Sequence, residues 1–281
     1  MNECCNRDIS YENPLQLAEE LGALDLLADQ RIAIGISRGS PETALRGYEA
    51  FGYTGSKDPR GADIAREKFA TFLRAIDGEG MVEADPARAP RGTLLPITPQ
   101  SNGLRDRIWW GSATRETAEW VGEMGLNLMS STLLTEEAGM PFHELQREQI
   151  DRYREAYAAA GHTRPPRVSV SRSIFPLVSD ADRAYFGGRP DSDQVGIIDG
   201  YVSTFGKTYA AEPDELIEQL RADSAVMAAD TVMLTVPNQL GVDYNAHVLE
   251  AFATHVAPAL GWKPNTDGPV RGDRIELSTT S

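Results

Sequence analysis

Short apolar runs alternate with longer amphipathic stretches along the first part of the chain. Apolar positions at helical spacing predict a helix over residues 14–28, in which either Leu24 or Asp25 continues the apolar face. The isoleucine-rich residues 31–37 predict a buried strand that runs into a tight turn. A second amphipathic helix is predicted over residues 61–77.

The alternation of strands and helices continues through the rest of the chain. Strands are predicted at 108–112, 126–131, 167–175 and 230–236, and helices at 114–125, 141–161, 212–229 and 245–256. Residues 78–107 and 176–209 are predicted to be irregular, and residues 263–281 to form a disordered tail. Five strands that alternate with helices indicate an α/β fold with a parallel sheet.

The ends of the predicted strands favour one α/β architecture over another. A doubly wound sheet is expected to carry G-x-G-x-x-G after an early strand, and residues 35–40, GISRGS, lack that spacing. A TIM-type (β/α)8 barrel builds its site from polar residues at several strand ends. The predicted strands all end in this way, at Ser37-Arg38-Gly39, Gly111-Ser112, Ser130-Ser131, Ser171-Arg172-Ser173 and Pro237-Asn238.

The predicted barrel is incomplete at its N-terminal end. A barrel of this type has eight strands, and the pattern indicates about five. Residues 2–8, NECCNRD, contain none of the β-branched or aromatic residues that a buried parallel strand needs. We therefore expect no strand before the first helix.

Charge and composition exclude several classes of function. The formal net charge of −15 opposes binding to nucleic acid and to anionic membranes. The two cysteines, Cys4 and Cys5, are adjacent, and the four histidines form no cluster with metal-ligand spacing. No signal peptide and no bilayer-length apolar run is evident. These features predict a soluble cytoplasmic protein without a metal site.

Three hydroxyl residues stand where the strand at 108–112 passes into a helix. The first N–H groups of a helix lack partners and carry partial positive charge, so Ser112, Thr114 and Thr117 are candidates for binding a phosphate. The alternative is that one of them is an ordinary helix cap. Arg38, at the end of the preceding strand, is a candidate for the same phosphate, with a surface salt bridge as its alternative.

Three segments of this sequence resemble the luciferase-like flavin-dependent monooxygenases. They are RIAIGISRGSPE, WWGSATRETAEW followed by GLNLMSS, and DTVMLTVPNQLGVDYNAHVLEAF. The resemblance covers residues 11–262 as one barrel domain and leaves residues 1–10 as a divergent N-terminus. It implies that Arg38, Thr114 and Thr117 bind the flavin phosphate. Ser37, Gly39 and Ser112 are implied as neighbours in that cofactor site.

The same resemblance implies a reaction and partners. The expected activity is oxygenation of an unknown organic substrate by reduced FMN and O2, with a separate flavin reductase and a homodimeric or heterodimeric assembly. A reductase that uses the deazaflavin F420 is an alternative, as is a noncatalytic or truncated subunit that pairs with a full-length barrel. Family members begin with three further strands, roughly 80 residues, which carry the acidic and histidine motif near the flavin. No catalytic residue is therefore predicted, and weak flavin retention is expected.

Overall fold

The computed structural model describes residues 2–39, 44, 46–58, 60–136, 139–188, 192–198 and 201–264. The backbone alone is described at residues 2–6, 198, 201 and 238. The chain divides into two compact units, the first running to Gly111 and the second starting at Ser112. Most of the predicted tail at 263–281 lies outside the described residues. The assignment of 11–262 to one domain stays a prediction.

The first unit is built on three parallel strands and two helices. In chain order it contains β1 (Asn2–Asp8), α1 (Pro14–Leu27), β2 (Ile32–Ser37), α2 (Ala62–Ile76), β3 (Gly80–Glu83), β4 (Leu94–Pro96) and β5 (Ile108–Ser112). Strand β2 pairs in parallel with β1 on one side and with β5 on the other. The strands and helices predicted for this part of the sequence are confirmed.

Two expectations for the first unit were wrong. A strand does precede the first helix, because β1 pairs with β2 from Asn2 opposite Ile32 to Asp8 opposite Ser37. Backbone hydrogen bonds to β2 hold this strand, and they do not require β-branched or aromatic side chains. A prediction from the strand preferences of its residues therefore missed β1. Residues 78–107 also contain an antiparallel hairpin, β3 with β4, whose short strands are hidden among Pro and Gly.

The second unit repeats the strand–helix alternation and adds a hairpin. It contains α3 (Arg115–Glu123), β6 (Asn127–Ser130), β7 (Leu133–Leu134), α4 (Phe142–Ala159), β8 (Val168–Arg172), β9 (Ile174–Pro176), α5 (Asp180–Phe186), β10 (Gln194–Ile198), β11 (Tyr201–Phe205), β12 (Tyr209–Ala211), α6 (Pro213–Ala222), α7 (Ser224–Ala228), β13 (Thr231–Leu234) and α8 (Gly241–His255). Strand β8 lies between β6 and β13, and all three are parallel.

Two stretches of the second unit differ from their prediction. Residues 176–209 are not irregular, because they hold α5 and the antiparallel pair β10 and β11. The single helix predicted at 212–229 is divided into α6 and α7 at Asp223. The Asp223 side chain accepts hydrogen bonds from the N–H groups of Ala225 and Val226, so it caps a new helix.

Aromatic and aliphatic side chains fill the core of each unit. In the first unit Phe69 of α2 contacts Trp110 of β5 with their ring centres 4.7 Å apart, and Trp109 is buried as well. In the second unit α4 buries Leu145, Ile150 and other residues, and packs most extensively on α3. No helix in the described part of the chain is long and apolar enough to cross a membrane.

A buried carboxylate connects the elements of the first unit. The structure turns Asp25 of α1 inward and leaves Leu24 41% exposed. The Asp25 carboxylate accepts hydrogen bonds from Ser101 Oγ at 2.6 Å and from the Ile32 N–H at 3.4 Å. It also forms an ion pair with Arg107, whose Nε donates to the Ile32 carbonyl at 3.1 Å. One charged pair thereby ties α1 to β2 and to the residue before β5.

We expect Asp25→Ala to lower the free energy of unfolding by about 3–5 kcal/mol, because it leaves the buried Arg107 guanidinium without its counter-charge. The measurement is equilibrium urea unfolding followed by tryptophan fluorescence. Asp77→Ala is the control, since the Asp77–Arg105 pair is about 40% exposed and such pairs contribute about 0–1 kcal/mol. Equal losses in the two variants contradict the assignment.

Candidate functional site

The first half of the predicted phosphate site lies at the end of β2. Ser37 is buried as the last residue of the strand, and its Oγ accepts a hydrogen bond from the Gly39 N–H at 3.0 Å. Gly39 has φ of +93°, and a Cβ there would lie 2.1 Å from an Asp8 carboxylate oxygen. Arg38 is half-buried, and its Nη1 donates to the Arg60 carbonyl at 3.3 Å. Ser37, Arg38 and Gly39 therefore form one tight turn that only glycine can complete.

A buried lysine holds this turn in place. Lys68 of α2 donates from Nζ to the carbonyls of Ile9 at 3.1 Å and Ser10 at 2.5 Å. The Nζ also lies 3.2 Å from the centre of the Tyr53 ring. Ser10 Oγ in turn donates to the Arg38 carbonyl at 3.3 Å. The ammonium group thus connects α2, through the turn after β1, to the backbone of Arg38.

Lys68 was missed in the sequence, although a signal exists. It stands four residues after Ile64 and four before Phe72, on the buried face of the amphipathic helix. Burial lowers the pKa of Lys68 from 10.5 to about 8, while the charges of Asp8 and Glu12 act to raise it. Burial of the Lys68 ammonium costs desolvation free energy, and its contacts with the two carbonyls and the Tyr53 ring offset that cost.

The second half of the predicted site lies at the start of α3. Ser112 is fully buried, and its Oγ donates to the Thr114 carbonyl at 2.8 Å. Thr114 is the helix cap, because its Oγ1 accepts from the Thr117 N–H at 3.1 Å. Thr114 Oγ1 also donates to Thr117 Oγ1 at 2.9 Å. Within this group of three hydroxyls, Thr117 accepts a hydrogen bond but donates its own hydroxyl hydrogen to neither of the other two.

A carboxylate that the sequence analysis missed binds at the same helix start. Glu136 accepts a hydrogen bond from the Arg115 N–H at 3.0 Å and pairs with the Arg115 guanidinium at 3.2 Å. Arg115 has a second carboxylate partner, Glu148, at 3.0 Å. The Thr117 N–H is bonded to Thr114, and the Glu116 N–H is a first-turn donor for which the described residues supply no hydrogen-bond partner.

The structure therefore brings the predicted residues together in two groups. Ser37, Arg38 and Gly39 are adjacent in the first unit, and Ser112, Thr114 and Thr117 are bonded to one another in the second. A single phosphate site made from both groups stays a prediction.

The serines of β8 face away from the helix that covers the sheet. Across strands β6, β8 and β13, the neighbouring residues are Met129, Ser169 and Thr231. Ser130 of β6 is the neighbour of Val170 of β8. Ser130 donates to Gln149 of α4 at 2.9 Å, so its face of the sheet is the helix side. Successive strand residues alternate, so Ser169 and Ser171 lie on the opposite, inner face. Alternation along the strand puts both serines on one face, but the sequence does not say which face that is.

Arg172, at the end of β8, belongs to a buried ion pair. Its guanidinium donates to both carboxylate oxygens of Asp223, at 2.8 and 3.1 Å, and Tyr209 donates its hydroxyl to the same carboxylate at 2.6 Å. Burial acts to raise the pKa of Asp223, but the hydrogen bonds and charge of Arg172 hold it below its ordinary value. Burial and the Asp223 carboxylate raise the pKa of Tyr209.

A cavity of about 170 Å³ opens beside this pair. It is lined by Arg172, Asp223 and Tyr209 together with side chains that include His143, Asp193 and Lys207. Asp193 accepts from the N–H groups of Phe142 and Lys207, at 2.8 and 3.0 Å. Because Arg172 is neutralised by Asp223, the cavity does not present an unpaired guanidinium to an anion. Among the described residues, no group of three or more His, Cys, Asp or Glu side chains is placed to hold a metal ion.

Comparison with known proteins identifies the family. Residues 9–185, more than half of the chain, match the model of the luciferase-like monooxygenases. The chain belongs to the luciferase-like monooxygenase family. The resemblance noted in the sequence is confirmed, and so is the α/β fold of the TIM-barrel type, although the described strands close no barrel. A search of curated proteins found no match.

Solved structures of luciferase-like enzymes share this fold. Monooxygenase RslO1 from Streptomyces bottropensis is 18% identical with a TM-score of 0.66, over 91% of this chain and 77% of that one. The oxygenating constituent of 3,6-diketocamphane monooxygenase from Pseudomonas putida, in complex with FMN, is 16% identical with a TM-score of 0.57, over 91% and 78%. An F420-dependent secondary alcohol dehydrogenase is 14% identical with a TM-score of 0.57, over 92% and 78%.

We expect the stabilisation by Lys68 to depend on pH. Between pH 8 and 10.5 the folded state has lost the Lys68 proton that the unfolded chain still binds, so stability rises with pH across that window. The free energy of unfolding of the wild type, minus that of Lys68→Met, should increase by up to about 3 kcal/mol from pH 8 to 10.5. The measurement is urea unfolding at several pH values.

Lys57→Met is the matched control, because Lys57 is exposed in the same unit. Its difference from the wild type should stay constant over the same range of pH. A constant difference for Lys68→Met as well would show that the ammonium is not desolvated.

Proposed function

We propose that this chain binds FMN and, with reduced FMN and O2, oxygenates a small organic substrate. Family membership makes the chain an oxidoreductase of the luciferase-like class. Support for FMN comes from the FMN complex of the diketocamphane enzyme, and support for oxygenation comes from that enzyme and from the monooxygenase RslO1. Bound reduced FMN would supply the chemistry with O2, while the protein binds and orients it and excludes water.

The observation that carries this proposal is the donor arrangement at the start of α3. The unused Thr117 hydroxyl hydrogen and the Glu116 N–H both belong to the first turn, where the helix dipole favours an anion. The hydrogen bond from Ser112 Oγ to the Thr114 carbonyl fixes the backbone between the end of β5 and the start of α3. The binding of Glu136 to the same turn shows that a negatively charged group fits there.

Arg38 is proposed to contribute the positive charge. Its Nη1 donates to a neutral carbonyl at 3.3 Å, which is a long hydrogen bond. A bond from Arg38 to a phosphate oxygen would be charge-assisted, and such bonds are about twice as strong as those to a neutral carbonyl. Lys68 donates to the Ser10 carbonyl, and Ser10 donates to the Arg38 carbonyl, so the backbone that carries the guanidinium is fixed.

The phosphate contacts alone do not account for tight binding. Hydrogen bonds to a charged group contribute about 1.5–3 kcal/mol each, and micromolar affinity corresponds to about 8 kcal/mol after the entropy of association is included. Contacts with the flavin ring must supply the rest. We therefore propose that FMN binds weakly and is lost during purification.

An F420-dependent oxidoreductase is the second candidate. The F420-dependent alcohol dehydrogenase has the same TM-score, 0.57, as the FMN complex, so the fold favours neither cofactor. We also propose a separate reductase as the source of reduced FMN, a cytoplasmic location and a dimeric assembly.

We expect Arg38→Ala and Thr117→Val each to weaken FMN binding by about tenfold or more, since each removes one bond to the phosphate. Riboflavin, which has no phosphate, should bind the variants and the wild type equally. The measurement is a fluorescence titration with FMN, riboflavin and F420. Arg31→Ala is the control, because Arg31 precedes β2 and so lies at the other end of that strand.

Equal losses for FMN and riboflavin would remove the phosphate assignment. Tight binding of F420 without binding of FMN would replace the first candidate by the second. Consumption of O2 by the chain with enzymatically reduced FMN, above the rate of free reduced FMN, tests the oxygenase activity itself.

Glu136→Gln should have the opposite effect on FMN. The variant keeps an oxygen that accepts from the Arg115 N–H but removes the charge that repels a phosphate at the same helix start. We expect FMN affinity to increase by about three- to tenfold, with riboflavin unchanged. Glu119→Gln, further along α3 and paired with Arg152 at 3.0 Å, is the control. A weaker FMN complex in Glu136→Gln contradicts competition between the two anions.

A further inference from the structure

Asp8 places a negative charge against the turn that carries Arg38. Asp8 is the last residue of β1 and is the neighbour of Ser37, the last residue of β2. A Cβ built on Gly39 would lie 2.1 Å from an Asp8 carboxylate oxygen, so this carboxylate packs against the Gly39 backbone. It also accepts a hydrogen bond from the Ser10 N–H at 2.9 Å. A phosphate bound at this turn would therefore be repelled by the Asp8 charge.

The ammonium group of Lys68 offsets this negative charge. Lys68 is 6% exposed, and the charges of Asp8 and Glu12 both act to raise its pKa, so the ammonium interacts favourably with the two carboxylates. Glu12 also pairs with Arg7 at 3.3 Å. The Tyr53 ring faces the ammonium as well, with its centre 3.2 Å from Nζ. Loss of the Lys68 proton would leave the negative charge at the turn after β2 less compensated.

The same ammonium group reaches the backbone of Arg38 through Ser10. Lys68 Nζ donates to the Ser10 carbonyl at 2.5 Å, and Ser10 Oγ donates to the Arg38 carbonyl at 3.3 Å. Ser10 is 3% exposed, so water has little access to replace these bonds. Hydrogen bonds from a charged donor are about twice as strong as those from a neutral one. A neutral Lys68 amine would therefore hold Ser10, and through it Arg38, less firmly.

We propose that Lys68 is a positioning residue for the phosphate of FMN, and that the chain binds FMN more weakly once Lys68 has lost its proton. The inference rests on the proposed function, because it needs Arg38 to bind that phosphate. Lys68 acts through Ser10 and through the charge of Asp8. Linkage is reciprocal, so a bound phosphate favours the charged amine in return, and binding near pH 8 takes up part of a proton from the solvent.

The test is the pH dependence of the dissociation constants of FMN and riboflavin, measured by fluorescence titration of the whole chain. If the phosphate raises the pKa of Lys68 from about 8 by about 0.5 to 1 unit, FMN affinity should fall about three- to sevenfold between about pH 7 and pH 9.5. Riboflavin should not show this fall, because it has no phosphate. In this range the phosphate keeps its charge, since its second pKa is about 6, and Arg38 stays protonated.

Substitutions identify the group that titrates. Lys68→Met and Lys68→Arg should both bind FMN independently of pH in this range, and Lys68→Arg, which keeps the charge, should bind it more tightly than Lys68→Met. Asp8→Asn keeps an acceptor for the Ser10 N–H but removes a charge that raises the pKa of Lys68, so the fall should move to lower pH. Lys57→Met, at an exposed position of the same unit, is the control and should keep the wild-type profile.

Calorimetric titration in buffers of different ionisation enthalpy gives a second readout that needs no substitution of Lys68. FMN should take up about 0.3–0.5 proton per molecule bound near pH 8.3, and riboflavin should take up none. Equal proton uptake by the two flavins would assign the proton to a group that does not sense the phosphate, and the inference would be wrong.

The titrations separate this inference from the proposed function. A ratio of FMN affinity to riboflavin affinity that stays constant with pH overturns the role of Lys68 but leaves the phosphate site standing, and so does a fall that persists in Lys68→Met. If FMN binds no more tightly than riboflavin even at pH 7, the phosphate assignment fails, and the role of Lys68 fails with it.

Discussion

Backbone groups at the ends of strands and helices have no partner within their own element, and those that are buried must bond to something else. In this chain, charged side chains meet much of that demand. Lys68 donates to two carbonyls after β1, Asp223 accepts from two N–H groups of α7, and Glu136 accepts from the first N–H of α3. The backbone groups that bond to each charged side chain also stabilise its charge. Charged side chains can therefore occupy these partly or fully buried turns.

The candidate cofactor site depends on this use of charge. The start of α3 favours anions, and Glu136 already binds there, so the proposed binding of a phosphate would exchange one anion for another. Arg115 has Glu148 as a second partner and keeps a counter-charge if Glu136 moves away. The exchange therefore leaves no guanidinium unpaired. The weak FMN binding that we propose is consistent with this competition.

The segments that interrupt the strand–helix alternation have a different role. The hairpin of β10 and β11 and the short strand β7 belong to no helix–strand repeat, and the hairpin carries two of the most exposed apolar side chains of the described chain. The inner face of β8, with Ser169 and Ser171, is small and polar instead. The second unit thus carries its exposed apolar strand and its small polar sheet face on separate elements.

The sequence by itself determined the parallel strands after the first helix, most of the helices, the family and the hydroxyl residues at the start of α3. Periodicity and capping are local signals, carried by residues within one element. The tertiary structure alone decided the buried charges, since Arg107 and Asp25 are 82 residues apart and Lys68 and Ile9 are 59 apart. It also decided β1, which exists through its hydrogen bonds to β2. No local pattern encodes such a pairing, because a buried charge or an edge strand is stable only when the distant partner is in place.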